Sequence, residues 1–250
     1  MGILFSRCIA FAAIIPLAMT SAAKAVVIID DFQTPAAFVS YSPFATSPQI
    51  FSHAGGTILG GDRQATFATT SGGFLGGDFG AVGQDIPYNP GSGVIFVDGL
   101  QFASGSASTV TLTYDGIGVG GLNDFDLLSA GNAIKLDFVY LNSGLNSGTQ
   151  INITVDTNGN TLSYVGQIPD SNGNSFSYLA YLTDFTGGSI LDFQQVDSIE
   201  IVLNSTAELA TDFILTGISV QAVPEPSTMI TWGMMLTAFL AIWHFGQKRS

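Results

Sequence analysis

The segment "NAIKLDFVYLN" (residues 132–142) shows most clearly how this chain folds. Apolar or aromatic residues recur at every second position from Ile134 to Tyr140, whereas Lys135 and Asp137 fall between them. A period of two places alternate side chains on opposite faces of a β-strand. The segment therefore predicts a strand whose Ile134-to-Tyr140 set faces a core and whose Lys135 and Asp137 face the other way.

The same pattern continues through residues 26–222. The other clear strands are predicted at 108–116, 149–157, 176–185, 197–205 and 211–221. Turn-forming residues separate them, and Asn158-Gly159 predicts a two-residue hairpin turn. About ten short strands with almost no helical periodicity are typical of two packed sheets. We therefore expect a jelly-roll-like antiparallel β-sandwich, with long surface loops at one end within the glycine-rich stretch 60–89.

The charge is distributed unevenly along the 250 residues. Four of the six basic residues lie near the chain ends: Arg7, Lys24, Lys248 and Arg249. The body between them has 18 acidic residues and two basic ones, Arg63 and Lys135. Such a body repels phosphate groups, so we expect no nucleic-acid partner.

Residues 1–25 have the features of an export signal. A basic residue near the start, Arg7, is followed by an apolar run and by a small-x-small triplet that begins at Ala23 and ends at Ala25. This pattern predicts a secretory signal peptide that is cleaved after Ala25. The alternative, a buried N-terminal helix, is disfavoured because Pro16 interrupts the run.

Residues 223–250 form a second terminal unit. The apolar run from Met229 to Phe245 has 17 residues, which in a helix span about 25 Å and reach the lower limit for a bilayer span, so the helix is predicted at about 229–246. Lys248 and Arg249 follow it, and the positive-inside rule keeps them in the cytoplasm. We expect a transmembrane helix here, with the body on the outer side of the membrane.

The motif Pro224-Glu225-Pro226 stands immediately before this apolar run, where two prolines favour an extended, accessible chain. In order and spacing, the last 28 residues resemble the PEP-CTERM sorting signal of Gram-negative bacteria. The resemblance implies that an exosortase-type membrane enzyme recognises Pro224, Glu225 and Pro226 and removes the helix. It also implies delivery of an inner-membrane precursor to the cell surface or to an extracellular polysaccharide matrix. The basic end is short, and the alternative is a plain membrane anchor with a rigid spacer.

The body offers little catalytic chemistry. It contains one histidine, His53, and no cysteine once Cys8 has left with the signal peptide. This excludes disulfides, thiol catalysis and zinc sites built from several histidines or cysteines. Paired carboxylates for glycoside hydrolysis remain open, although Glu200 alternates with isoleucines as an outward strand residue does. We expect no enzymatic activity.

Two functions agree with these features. The first is an exported structural or interaction protein of the cell surface or biofilm matrix. The alternative is a carbohydrate-binding module of the jelly-roll type, in which exposed aromatic rings stack on sugars. Aromatic candidates for such a surface are Tyr41, Phe44, Phe79, Tyr88 and Tyr164.

A structural Ca²⁺ ion is a further hypothesis. Asp30 and Asp31 lie at the first strand and Asp212 begins the last one, and first and last strands are often neighbours in jelly rolls. Carboxylate oxygens converging from both chain ends would suit Ca²⁺. The alternative is that these acids face water and bind nothing.

Overall fold

The protein is a β-sandwich of two antiparallel sheets, which confirms the predicted fold class at that level. The computed structural model describes residues 26–32, 38–40, 48–54, 57–71, 78–88, 95–103, 107–116, 121–142, 148–171, 173–207, 211–223, 235 and 237. The predicted signal peptide lies outside these residues, as does the sorting tail apart from Met235 and Thr237. Within the described ranges, no helix is long and apolar enough to cross a membrane.

The larger sheet has seven strands in the part of the chain described. With labels in chain order, they are β1 (Val27–Asp30), β2 (Phe38–Ser40), β5 (Asp78–Tyr88), β6 (Ile95–Ala103), β8 (Ala133–Asn142), β11 (Phe176–Tyr181) and β13 (Asp212–Gln221). The order across the sheet is β11-β8-β13-β6-β5-β2. One edge of β13 pairs with β8, and the opposite edge is shared between β6 and the short strand β1.

The second sheet has six strands within the same ranges. They are β3 (Gln49–Ala54), β4 (Asp62–Ser71), β7 (Ala107–Tyr114), β9 (Thr149–Thr157), β10 (Thr161–Ile168) and β12 (Val196–Leu203), in the order β10-β9-β12-β7-β4-β3. A one-turn helix, α1 (Leu127–Ala130), is capped by Asp126, and 3₁₀ turns lie at Leu59–Gly61, Leu182–Asp184 and Ile190–Gln194.

Strand β8 follows the predicted alternation until a bulge interrupts it. Ile134 and Phe138 are buried as expected, but Tyr140 is only half-buried and Leu141 is buried in its place. The pairing with β13 slips by one residue between Phe138 and Tyr140. A bulge of this kind reverses the faces of the residues that follow it, so the prediction that Tyr140 faces the core is wrong.

Other expectations need smaller corrections. The stretch 60–89 contains β4 and β5, so most of it pairs in sheets instead of forming the expected loops. The strand predicted over 176–185 ends at Tyr181, and a 3₁₀ turn follows it at Leu182–Asp184. The hairpin between β9 and β10 is present, with three linking residues instead of two, and Gly159 adopts a φ of 111°.

The core lies between the sheets and consists of the inward residues of their strands. Alternate positions of β9, β12 and β7 are fully buried, and they face the buried residues of β8 and β13. Representative members are Leu112, Leu136, Ile153, Ile201, Leu215 and Val220. Glu200 is half-exposed between buried Ile199 and Ile201, which agrees with its predicted outward position.

A buried ion pair crosses this apolar core. Asp30 on β1 accepts a hydrogen bond from Nη1 of Arg63 on β4, with 2.5 Å between the Arg63 nitrogen and Asp30 Oδ2. The Tyr114 hydroxyl on β7 donates to the same oxygen at 3.0 Å. All three side chains are fully buried. The cluster therefore ties the end of β1, in one sheet, to two strands of the other.

A bulge in β1 explains why an aspartate points inward. Val27 and Ile28 pair with Val220 and Ser219, but Asp30 pairs with Ile218, so Ile29 is an extra residue. Two consecutive side chains, Ile29 and Asp30, consequently face the core. Regular alternation would have placed Asp30 beside Ile28 at the surface.

Phe32, two residues after Asp30, completes the cluster. The Phe32 amide donates to Asp30 Oδ1 at 2.8 Å, and the Arg63 guanidinium lies 5.0 Å from the centre of the Phe32 ring. These contacts hold Phe32 at a φ of 54°, which a bulky residue adopts only when its surroundings impose it. Burial raises the pKa of Asp30, while Arg63 and the hydrogen bonds from Phe32 and Tyr114 oppose the rise. Burial and the Asp30 carboxylate raise the pKa of Tyr114 well above its usual value, so the phenol stays protonated and donates.

We expect Asp30→Asn to lower the free energy of unfolding by about 3–5 kcal/mol, because it leaves the Arg63 charge buried without a counter-ion. Nε and Nη2 of Arg63 have no hydrogen-bond partner among the described residues, and the contact with the Phe32 ring is too weak to replace a counter-ion. The double variant Asp30→Leu/Arg63→Met should recover most of the loss. Urea unfolding measures both, and an Asp30→Asn protein as stable as the wild type would contradict the assigned role.

Candidate binding groove

An open groove of about 330 Å³ crosses the outer face of the seven-stranded sheet. Strand β13 forms its floor, and β1 and β8 form its sides. Its lining residues are Val26, Ile28, Asp30, Asp31, Lys135, Asp137, Gly217, Ile218, Ser219 and Gln221. We call this feature the sheet groove.

The strand register places the polar residues of the groove in rows. Lys135 of β8 pairs with Ser219 of β13, which pairs in turn with Ile28 of β1. One step along, Asp137 pairs with Gly217. Directly paired residues share a face, so these side chains lie beside one another outside the sheet.

Asp137 is fixed by its neighbours. Its Oδ1 lies 2.8 Å from Lys135 Nζ and accepts a hydrogen bond from the Ser177 hydroxyl at 2.5 Å. The Thr216 hydroxyl donates to its backbone oxygen at 3.1 Å. No described residue donates to Oδ2, and 36% of the side chain is exposed. Asp137 therefore presents a fixed acceptor to the groove.

The other polar groups of the groove include donors. Lys135 is 25% exposed, and its ammonium group forms one ion pair among the described residues, with Asp137, which leaves ammonium protons for a ligand. The hydroxyl of Ser219 and the amide of Gln221 are half-buried in the lining. Ile28 is 47% exposed and provides an apolar wall beside them.

The floor stays open because residue 217 is a glycine. The nearest atom to a Cβ built there would be the Asp30 backbone oxygen at 3.8 Å, an ordinary contact distance. The fold therefore tolerates a side chain at Gly217, but such a side chain would stand in the groove. This makes the position a steric probe of ligand binding.

Tyr181 is an aromatic residue of the outer face that was not among the aromatic candidates predicted from the sequence. Ala180 is fully buried, so its neighbour Tyr181 lies on the outer face, where it pairs with Ala133 and is half-exposed. Its partner Ala133 lies two residues before Lys135 on β8. Strict alternation within "FSYLAY" was the signal that could have found it.

Of the aromatic candidates from the sequence, the side chain of Tyr164 is described, and it lies outside the groove lining. The hydroxyl of Tyr164 is 2.7 Å from that of Tyr178, and its ring packs 5.4 Å from that of Phe185, so it belongs to the sandwich edge. Tyr41 and Phe44 lie outside the described residues, and so do the side chains of Phe79, Tyr88 and His53.

The predicted calcium site does not form. Asp30 pairs with Ile218, six residues along β13 from Asp212, which is about 20 Å in a strand. Asp30 is also committed to Arg63 and Tyr114. In the ranges that the structure covers, no group of three or more His, Cys, Asp or Glu side chains could hold a metal ion.

The two ends of the sandwich lie side by side in the larger sheet, because Val27 pairs with Val220. The Asn132 side chain holds the last described residue of the sandwich. It donates to the Val223 oxygen at 2.8 Å and accepts from the Val223 amide at 2.7 Å. The predicted processing residues Ala23, Ala25, Pro224, Glu225, Pro226, Lys248 and Arg249 lie outside the described residues.

No protein-family model and no curated protein matches the chain. Among solved structures it is similar to a family 11 carbohydrate-binding module from Clostridium thermocellum, in complex with a β-1,3-1,4-mixed-linked tetrasaccharide. That match has 14% identity and a TM-score of 0.38, over 81% of this chain and 99% of the other. The family 11 module of the cellulosomal cellulase Lic26A-Cel5E from Clostridium thermocellum matches at 11% identity and a TM-score of 0.33, over 76% and 98%. An exo-β-agarase matches at 15% identity and a TM-score of 0.38, over 82% of this chain and 25% of its own.

Proposed function

We propose that this protein is an exported carbohydrate-binding protein whose jelly-roll-type sandwich holds polysaccharide in the sheet groove. The observation that carries the proposal is the mixture of fixed donors and acceptors along one open face of the sheet. Lys135 supplies donors, Asp137 supplies an acceptor, and Gln221 supplies both.

Sugars need this mixture because each hydroxyl group both donates and accepts hydrogen bonds. A groove lined only by donors or only by acceptors would leave part of each hydroxyl without a partner, at a cost in binding free energy. Sugars also present apolar C–H faces, and exposed Ile28 and half-exposed Tyr181 lie on the same outer face as the polar groups. Since the groove is open, it suits an extended chain.

The groove is proposed to bind its ligand without catalysing a reaction. Among the described residues, its lining includes no histidine, cysteine or glutamate. Asp137 Oδ1 is already bonded to Lys135 and Ser177. The sandwich would therefore act as an adhesive or matrix-binding unit.

Display at the cell surface is the second part of the proposal, and it rests on the resemblance of residues 223–250 to a PEP-CTERM signal. Two features of the sandwich support it. The first and last strands are neighbours, so the two ends of the sandwich lie side by side. Asn132 anchors Val223, directly before Pro224, to the body. An exosortase-type enzyme would then meet its motif next to a folded domain.

A purely structural matrix role, without sugar binding, is the competing function.

We expect Gly217→Leu to weaken polysaccharide binding at least about tenfold, because the new side chain fills the floor of the groove. Co-sedimentation of the full-length protein with insoluble polysaccharides measures this effect. Thr154→Leu is the matched control, since it adds a similar side chain to the outer face of the other sheet. Equal binding by the Gly217→Leu and wild-type proteins would place the ligand elsewhere.

Replacing Pro224, Glu225 and Pro226 with alanines should leave the protein in the inner membrane with its tail attached. The sandwich should stay folded, because its last described contact is at Val223. Membrane fractionation and intact mass follow the outcome in strains with and without the processing enzyme. Normal surface delivery of the triple variant, or equal masses that include residues 228–250 in both strains, would contradict sorting.

A further inference from the structure

We infer that the sheet groove selects uncharged polysaccharides and that Lys135 and Asp137 together bind one sugar hydroxyl. This inference rests on the proposed function and specifies the class of ligand. It follows from the positions of the two basic residues of the body and from the hydrogen-bonding capacity of the groups beside them.

Only two basic residues lie between residues 26 and 222. Arg63 is fully buried against Asp30 and is inaccessible to a ligand. Lys135 is therefore the one lysine or arginine of this span that reaches the surface, and it lies in the groove. It does not provide a free positive charge, because Asp137 is 2.8 Å away and Asp31 is also in the lining.

The pair has complementary hydrogen-bonding capacity. Lys135 retains ammonium protons, and Asp137 retains Oδ2 as an acceptor that no described residue uses. A hydroxyl group can accept from Lys135 and donate to Asp137 at the same time. Both bonds would involve a charged partner, which makes them stronger than bonds between neutral groups.

The charged group of an acidic sugar cannot satisfy the same pair. A carboxylate or sulfate group only accepts, so it could bond to Lys135 but would bring its charge close to Asp137. The repulsion would be reinforced by the whole body, which has 18 acidic residues and two basic ones. Binding of a polyanion is consequently opposed both in the groove and at long range.

Matched pairs of polysaccharides test this inference on the full-length protein in detergent. The probes are polygalacturonate with its methyl ester, and carboxymethyl cellulose with hydroxyethyl cellulose, compared by affinity electrophoresis in low and moderate salt. We expect the uncharged member of at least one pair to bind about tenfold more tightly or better. Tighter binding of an acidic member would overturn the inference and leave the proposed function standing. Absence of binding to all four probes and to the insoluble polysaccharides would contradict the proposed function itself.

A pair of variants separates the local contact from the overall charge. Asp137→Asn replaces the Oδ2 acceptor with a donor, and we expect about tenfold weaker binding of the uncharged probe and less discrimination against the acidic one. Glu200→Gln also removes one negative charge, but from the outer face of the other sheet, and should change neither. Equal effects of the two substitutions would show that only the net charge matters, and no effect of Asp137→Asn would remove the pair from the site. Circular dichroism confirms that each variant is folded.

Discussion

The contact between Asp30 and Arg63 holds the two sheets together at the place where the chain enters the sandwich. Strand β1 has only four residues and pairs with β13 alone among the described strands. Backbone pairing over so short a length is weak, but Asp30 connects this strand to Arg63 and Tyr114 in the opposite sheet. A buried ion pair adds little net stability compared with apolar packing, yet breaking it is costly, so it favours one arrangement of the strands.

The groove depends on that arrangement. Its sides are β1 and β8, and its floor is the part of β13 that pairs with both. If β1 moved away, Ile28 and Asp31 would leave the lining and only a flat sheet face would remain. Because the polar groups stand on paired strands, their spacing is fixed by backbone hydrogen bonds, which is the preorganisation that a binding site requires.

The sequence predicted the general fold because alternation is a local property. It placed Lys135 and Asp137 together on the outer side of β8, and these residues form the polar centre of the groove. It failed at Asp30 and Tyr140, where β-bulges insert one residue and reverse the facing of the neighbours. A bulge depends on the partner strand, so alternation within one segment does not reveal it.

The groove itself also required long-range information. That β1 and β8 flank β13 depends on pairings between residues 70 or more positions apart. The role of Gly217 follows only from this assembly, since nothing nearby in the sequence shows that its missing side chain leaves an opening. The calcium hypothesis failed for a related reason: β1 and β13 are indeed neighbours, but their register separates Asp30 from Asp212.

Hydrogen exchange of the full-length protein, with and without a bound uncharged polysaccharide, decides whether the sheet groove binds carbohydrate. We expect slower amide exchange in β1, in β8 around Lys135 and Asp137, and in β13 from residue 217 to 221. In β9 and β12 of the other sheet, we expect unchanged exchange. Protection confined to that other sheet, or to segments remote from the groove, would contradict the claim that the sheet groove binds carbohydrate.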